Sequence, residues 1–419
     1  MKASVLIQHI KTIYTPYKTP PVHGKHMNKV KEIHDAFIAI KDSMILDFGT
    51  GDGEKYIDNH TIIHDAKGAI VVPGFIDSHS HLVHAGSRED EYEKLNQGVP
   101  YLDILNEGGG ILGTVEKTRK ASFEALYHQA MKSLDHMLLY GVTVLEAKSG
   151  YGLDFQNEVK QLEVARSLEL AHPIHIKHTY MAAHAIPSEY KDNREGYIVS
   201  ILEDMKKIKE MKLAGAVDVF CETGVFSLIE TRRILSKAKD LGFAIKMHAD
   251  EIHSLGGAGL GVDLHCTSVD HLMAIKAEDI DKLAYSNTIA NLLPGTSFYL
   301  KKGYANARKM IDEGVAVSVS GDYNPGSCPT ENFQLIMQLA SRELHMTPNE
   351  ILNAVTINPA YHLGISETHG SIEIGKYANL VCLDAPNLAY VLYHFGINHT
   401  KDVYIEGKRV VYHKQIVRS

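Results

Sequence analysis

Between about residues 74 and 345 the chain repeats one unit. A short apolar run is followed by a loop with Gly or polar residues, then by a stretch with apolar residues at helical spacing. The runs fall at Gly74–Asp77, Val142–Ala147, Ile174–His178, Val217–Cys221, Ala244–His248, Ser268–Asp270, Thr288–Leu292 and Ala316–Ser320. Each is rich in β-branched or apolar residues with no clean polar alternation, as buried parallel strands should be. Helical spacing is clearest over Phe123–Tyr140, Asn157–Leu170, Glu195–Met211 and Leu228–Leu241. Thr347-Pro348-Asn349-Glu350 has the form of a capping box with Pro at the first helical position, and predicts a further helix. Eight strand–helix units predict an α/β fold, a (β/α)8 TIM-like barrel over residues 73–370. A doubly wound open sheet is the competing arrangement.

The two ends differ from this pattern. Residues 1–72 and 371–419 are short extended segments broken by Gly, Asp and Asn, and neither can bury a core alone. They are expected to pair into one small β-sandwich beside the barrel. Net charge is -8 with both signs interspersed, which speaks against a nucleic-acid partner. Cys221, Cys266, Cys328 and Cys382 are widely spaced and read as reduced thiols. The opening MKASVLIQHIKTIY lacks the apolar core of a signal peptide, and no later stretch reads as a membrane span. A cytoplasmic location is therefore expected.

Four residues far apart in sequence fall at the ends of predicted strands: His79 and His81 after strand one, His248 at strand five and Asp322 after strand eight. With 25 histidines in 419 residues, about 1.5 His-x-His pairs would arise by chance, so His79-Ser80-His81 means little by itself. Residues i and i+2 of a strand share a face, which lets both imidazoles reach one ion. Barrel closure brings strands one, five and eight to one mouth, where barrel enzymes keep their chemistry. Three imidazoles and a carboxylate there would hold a metal ion and leave a position for water. Such nitrogen and oxygen ligands suit zinc and iron alike.

Other residues extend this picture. Glu251, three residues past His248, would project into the mouth as a proton donor or acceptor. His271 ends strand six and is placed to hydrogen-bond the reacting water or a substrate carbonyl, while His184 follows strand three. Taken alone, each of these histidines reads equally well as an ordinary buried imidazole.

This pattern resembles that of the amidohydrolase superfamily along essentially the whole chain. The superfamily's ligand pattern is His-x-His after strand one, His after strands five and six, and Asp after strand eight. Gly370-Ser371-Ile372-Glu373-Ile374-Gly375-Lys376-Tyr377-Ala378-Asn379-Leu380-Val381 is similar to its C-terminal return into the β-sandwich. Dinuclear members carry a carboxylated lysine at strand four. Val217-Asp218-Val219-Phe220-Cys221-Glu222 has none, and Lys148 follows strand two, so the resemblance implies one Zn2+ or Fe3+ ion per subunit. Within the superfamily the likeness is greatest to enzymes of histidine breakdown that open an imidazolone ring. It rests on Asp77–His81 with Ala85-Gly86-Ser87-Arg88, on Glu146–Leu153, on His248–Glu251 and on Gly321–Ser327. Ser80 stands where that group usually has Thr.

The resemblance implies hydrolysis of 4-imidazolone-5-propanoate to N-formimidoyl-L-glutamate, in a homodimer. The substrate is a small molecule with a carboxylate tail, for which Arg88 is a natural fork and Tyr151 a hydroxyl donor. Glu251 and His184 would bond the ring nitrogens and carbonyl, and Asn324, Gly326 and Ser327 would offer an amide, backbone N–H groups and a hydroxyl. In this scheme Asp322 takes a proton from water, His271 steadies the oxyanion, and Glu251 or Asp322 protonates the leaving nitrogen. A cytosine- or guanine-type deaminase would use the same ligands but needs no carboxylate fork. A barrel kept only for binding would be expected to lose them.

Overall fold

The computed structural model describes residues 1–17, 19–99 and 109–417. Eight parallel strands form one sheet in chain order: Phe75–Asp77, Val142–Lys148, His175–Ala183, Ala216–Cys221, Ala244–Ala249, Ser268–His271, Ile289–Leu292 and Val317–Val319. All eight predicted runs are thus strands. The sheet closes beyond its last strand, where Asp322 N–H donates to His79 C=O at 2.9 Å and His81 N–H donates to Tyr323 C=O at 2.8 Å. Closure is therefore made by the backbone between the candidate ligands, which fixes strand one against strand eight at the mouth.

The third strand is longer than its predicted run, continuing through Thr179–Ala183. Its register with the fourth strand shifts between Tyr180 and Ala183, and this irregularity carries the chain directly to His184. Helices Phe123–Leu139, Phe155–Ala171, Arg194–Glu210 and Leu228–Asp240 match the periodic stretches within two residues at each end. Ser122, Asp154, Asn193 and Ser227 cap them through side-chain oxygens that accept from exposed backbone N–H groups. The capping box at Thr347 forms with Glu350, opening helix Pro348–Ala354.

The chain ends build one nine-stranded mixed sheet. Leu380–Leu383 pairs antiparallel with Ile70–Pro73, which joins the C-terminal segment to the N-terminal one. At the far edge, Ile45 N–H donates to Lys376 C=O and Ala378 N–H to Ser43 C=O, so the sheet wraps back on itself. Inside lies an apolar core that includes Ile7, Ile10, Ile38, Ile40, Val71, Leu380 and Tyr404. Residues 371–419 were expected to be extended only, but they include helix Leu388–Tyr393, which packs on helix Phe333–Arg342. Gly74 is the hinge between sheet and barrel. A Cβ there would come within 2.2 Å of Thr143 Oγ1, so no larger residue fits the approach of strand one to strand two.

Candidate metal centre

His79, His81 and His248 are buried, and each offers a nitrogen within 4.8 Å of the others'. Asp322 Oδ1 lies 3.5 Å from His79 Nε2 and 3.9 Å from His81 Nε2. His79 Nε2 and His81 Nδ1 are buried without a hydrogen-bond partner. Orphaned buried nitrogens on converging imidazoles are costly unless something fills the space between them. A cation fits this donor set of three imidazoles and a carboxylate.

Two carboxylates that the sequence reading did not single out aim the rings. Asp270 Oδ2 lies 2.5 Å from His79 Nδ1, and Asp218 Oδ1 lies 3.2 Å from His248 Nδ1. A proton held on Nδ1 by a carboxylate leaves the Nε2 lone pair for a ligand. Burial, with the Lys148 charge next, holds His79 well below the usual imidazole range, and burial does the same to His81. Both are neutral, the form that binds metal. His248 moves up: burial opposes its charged form, but Asp218 outweighs burial. Asp322 is pushed up to about 6 by burial, and the Thr296 hydroxyl donates to its Oδ2. It sits at φ 53, a left-handed conformation that Asp tolerates better than most residues.

Around these four stand most of the other expected residues. His271 and Leu272 both have positive φ, 79 and 62, and the His271 ring centre lies 5.0 Å from that of His248. Both of its nitrogens are buried and unpartnered, and its Nε2 is 3.6 Å from Glu251 Oε2. Burial pushes Glu251 up to about 8; Asp322 and Glu222 push the same way and His248 opposes them. His184 stacks on His81 with ring centres 4.8 Å apart and an interplanar angle of 9°. Its Nδ1 is 3.0 Å from Gly150 C=O, and a Cβ on Gly150 (φ 111) would reach within 2.8 Å of that nitrogen. Burial lowers His184 to about 3, so it is neutral. Tyr151 is buried with its ring centre 5.6 Å from that of His81.

Arg88 and the 324–327 turn meet at one side. A Cβ on Gly326 would collide with Arg88 Nη1 at 2.0 Å, so glycine makes room for the guanidinium. Arg88 is not a solvated surface charge: its side chain is 16% exposed, and Nε and Nη2 both donate to Glu91 Oε2. The Asn324 amide is engaged in shaping the turn. Its Oδ1 accepts from the N–H groups of Gly326 and Ser327, and its Nδ2 donates to Asp322 C=O and Ser327 Oγ. Its contribution to a ligand is therefore made through the turn it holds.

Beneath the imidazoles lies a layer of charge that also escaped the sequence reading. Lys148 Nζ contacts Asp218 Oδ2 at 2.5 Å and Glu146 Oε2 at 3.1 Å, and Lys246 Nζ bonds Glu146. The signal was present as single charges inside apolar runs, in Val217-Asp218-Val219, Val269-Asp270 and Lys246-Met247. A charge in a strand buried on both faces must point inward and be paired.

A family model described as "Amidohydrolase family" matches residues 70–410. An imidazolonepropionase of Fusobacterium nucleatum subsp. nucleatum is 49% identical over 412 residues, covering 98% of this chain and 99% of that one. One from Streptococcus pyogenes serotype M6 is 48% identical over 416 residues, with the same coverage. Among solved structures, an adenosine deaminase from Xanthomonas campestris with bound zinc superposes with TM-score 0.74 at 16% identity, over 100% of this chain and 95% of that one. Escherichia coli guanine deaminase gives 0.73 at 16% identity, over 97% and 98%. These two likenesses concern the fold alone.

Proposed function

The chain belongs to the amidohydrolase family, and we propose that it catalyses the hydrolytic ring opening of 4-imidazolone-5-propanoate to N-formimidoyl-L-glutamate in histidine breakdown. The relatives that match it over nearly its whole length are named for that activity. The observation that carries the reading is the composition of the mouth. Imidazoles and a carboxylate converge at its base, and a guanidinium with a phenol close by stands at its side. That suits a neutral cyclic amide with a carboxylate tail.

His79, His81, His248 and Asp322 would hold one Zn2+ or Fe3+ ion per subunit. When bound, the ion supplies Lewis acidity to the reacting water and carbonyl. Asp322 takes the proton of the attacking water as the new C–O bond forms at the ring carbonyl carbon. His271, with two unpartnered nitrogens, donates one N–H to the developing oxyanion. Glu251 is a carboxylic acid at neutral pH and gives its proton to the ring nitrogen as the C–N bond breaks. His184, fixed through Gly150, presents its other nitrogen to the substrate ring. Arg88, held by Glu91, and Tyr151 take the propionate, and the turn of Asn324, Gly326 and Ser327 lines the site beside Arg88.

The reading carries with it a homodimer, a cytoplasmic location, and a division into a catalytic barrel over 73–370 with a flanking unit from 1–72 and 371–419. No helix among the described residues is long and apolar enough to cross a membrane.

Ultraviolet absorbance of the imidazolone ring tests the substrate. The ring absorbance is expected to vanish on adding enzyme. Arg88→Ala is expected to raise KM roughly 10–100-fold, the worth of a charge-assisted hydrogen bond, with a smaller change in kcat. An unchanged KM would remove Arg88 from the propionate site.

A further inference from the structure

The charged layer bears on the metal centre through one side chain. Lys148 ends the second barrel strand, is 1% exposed, and lies with its Nζ 2.5 Å from Asp218 Oδ2 and 3.8 Å from Asp270 Oδ2. These are the two carboxylates behind His248 and His79. Asp218 divides its oxygens, Oδ2 to Lys148 and Oδ1 to the ring and backbone N–H of His248. Asp270 takes the Ser268 hydroxyl on Oδ1 and faces both His79 Nδ1 and Lys148 with Oδ2. The neighbouring Lys246 bonds Glu146 and Ser78 C=O, while Lys148 is the cation that lies against both aspartates.

We propose that Lys148 is a positioning residue for the metal centre, a single ammonium that ties together the carboxylates orienting His79 and His248. The chemistry follows from tautomers. While Asp218 and Asp270 are carboxylates they can only accept, so each imidazole keeps its proton on Nδ1 and a lone pair on Nε2. Lys148 holds Asp218 Oδ2 and faces Asp270 Oδ2, which keeps each carboxylate turned toward its imidazole. Without the ammonium the carboxylates are free to turn, the Nδ1–H groups lose their fixed partners, and neither Nε2 is held toward the ion. Lys148 prevents this at two ligands at once without touching either. The inference rests on reading the histidine cluster as a metal site.

Zinc affinity tests it without recourse to turnover. Metal-stripped wild type, Lys148→Met, Asp218→Asn and the double variant would be titrated with Zn2+ against a chromophoric chelator, with thermal unfolding of each metal-free form as the fold control. Lys148→Met is expected to weaken zinc binding about 10–100-fold, as does loss of a group supporting a ligand. The double variant is expected to bind no more weakly than the worse single one, because both act through one link. Lys148→Arg, which keeps the cation, should recover most of the loss. Should Lys148→Met fail to fold, Lys148→Leu, which likewise has no donor for Asp218, carries the same expectation. Wild-type affinity in the Lys148 variants, or losses that multiply in the double variant, would overturn the inference alone. Failure of the wild type to bind zinc would overturn the metal-site reading along with it.

Discussion

The barrel interior holds two layers of polar side chains that differ in what they lack. In the lower layer Glu146, Lys148, Asp218, Lys246 and Asp270 find ionic partners among themselves, and none is among the buried polar groups left without a hydrogen bond. In the upper layer His79, His81 and His271 each keep a buried nitrogen without a hydrogen-bond partner, and Asp322 lies within 4 Å of the first two. The strands alternate between the layers: Lys246 lies below and His248 above on the fifth strand, two residues apart. A self-sufficient layer belongs to the structure and sets orientation. An incomplete one needs something from outside, here a cation and a substrate. The lower layer has one net negative charge, and with Asp322 it gives the surroundings a charge suited to a divalent ion.

The largest effect is expected in the upper layer. Asp322→Asn should retain the fold and lower kcat by about 100- to 10,000-fold, the usual worth of a positioned proton acceptor. Steady-state ring loss at saturating substrate reads this directly, and near-native turnover with metal bound would remove Asp322 from the proton transfer.

A smaller effect should follow from touching the lower layer. Asp270→Asn leaves His79 in place but exchanges its carboxylate partner for an amide. Zinc affinity should fall about 10–100-fold, while kcat at saturating zinc should change much less. If kcat fell as far as in Asp322→Asn, the division between an orienting layer and a reacting layer would be wrong.

The smallest effect lies outside both layers. Burial holds His64, bonded to the Tyr404 hydroxyl, down to about 4, and holds His369 down to about 4 as well. Both are neutral in the folded chain and take up a proton near pH 6.5 when unfolded. Protons therefore favour the unfolded state below pH 6.5, and this contribution to stability is present above that pH and shrinks from 6.5 toward 4. Melting temperature should decline over that window, and His64→Gln should flatten part of the decline. An unchanged slope would place the acid sensitivity elsewhere.

Much of this was legible in the sequence, for identifiable reasons. Parallel strands buried on both faces leave continuous apolar runs, so all eight strands could be read, and Thr347-Pro348-Asn349-Glu350 announced its helix through capping chemistry alone. The extension of the third strand to Ala183 was not legible, because a register shift between Tyr180 and Ala183 is set by the neighbouring strand. Asp218 and Asp270 were hidden for a related reason. Their significance depends on lying against Lys148, His79 and His248, residues 30 to 191 positions away, and no local pattern records such a meeting. Lys148 looked misplaced only by comparison with a strand-four lysine; in the fold it is the centre of the lower layer.

The most direct test is to restore metal stepwise to chelator-stripped enzyme while following imidazolone absorbance. The geometry of His79, His81, His248 and Asp322 predicts that stripping abolishes turnover, and that activity rises with added Zn2+ or iron to a sharp break at one equivalent per subunit. Full activity after stripping, or a break only at two equivalents, would contradict a single ion held at this mouth.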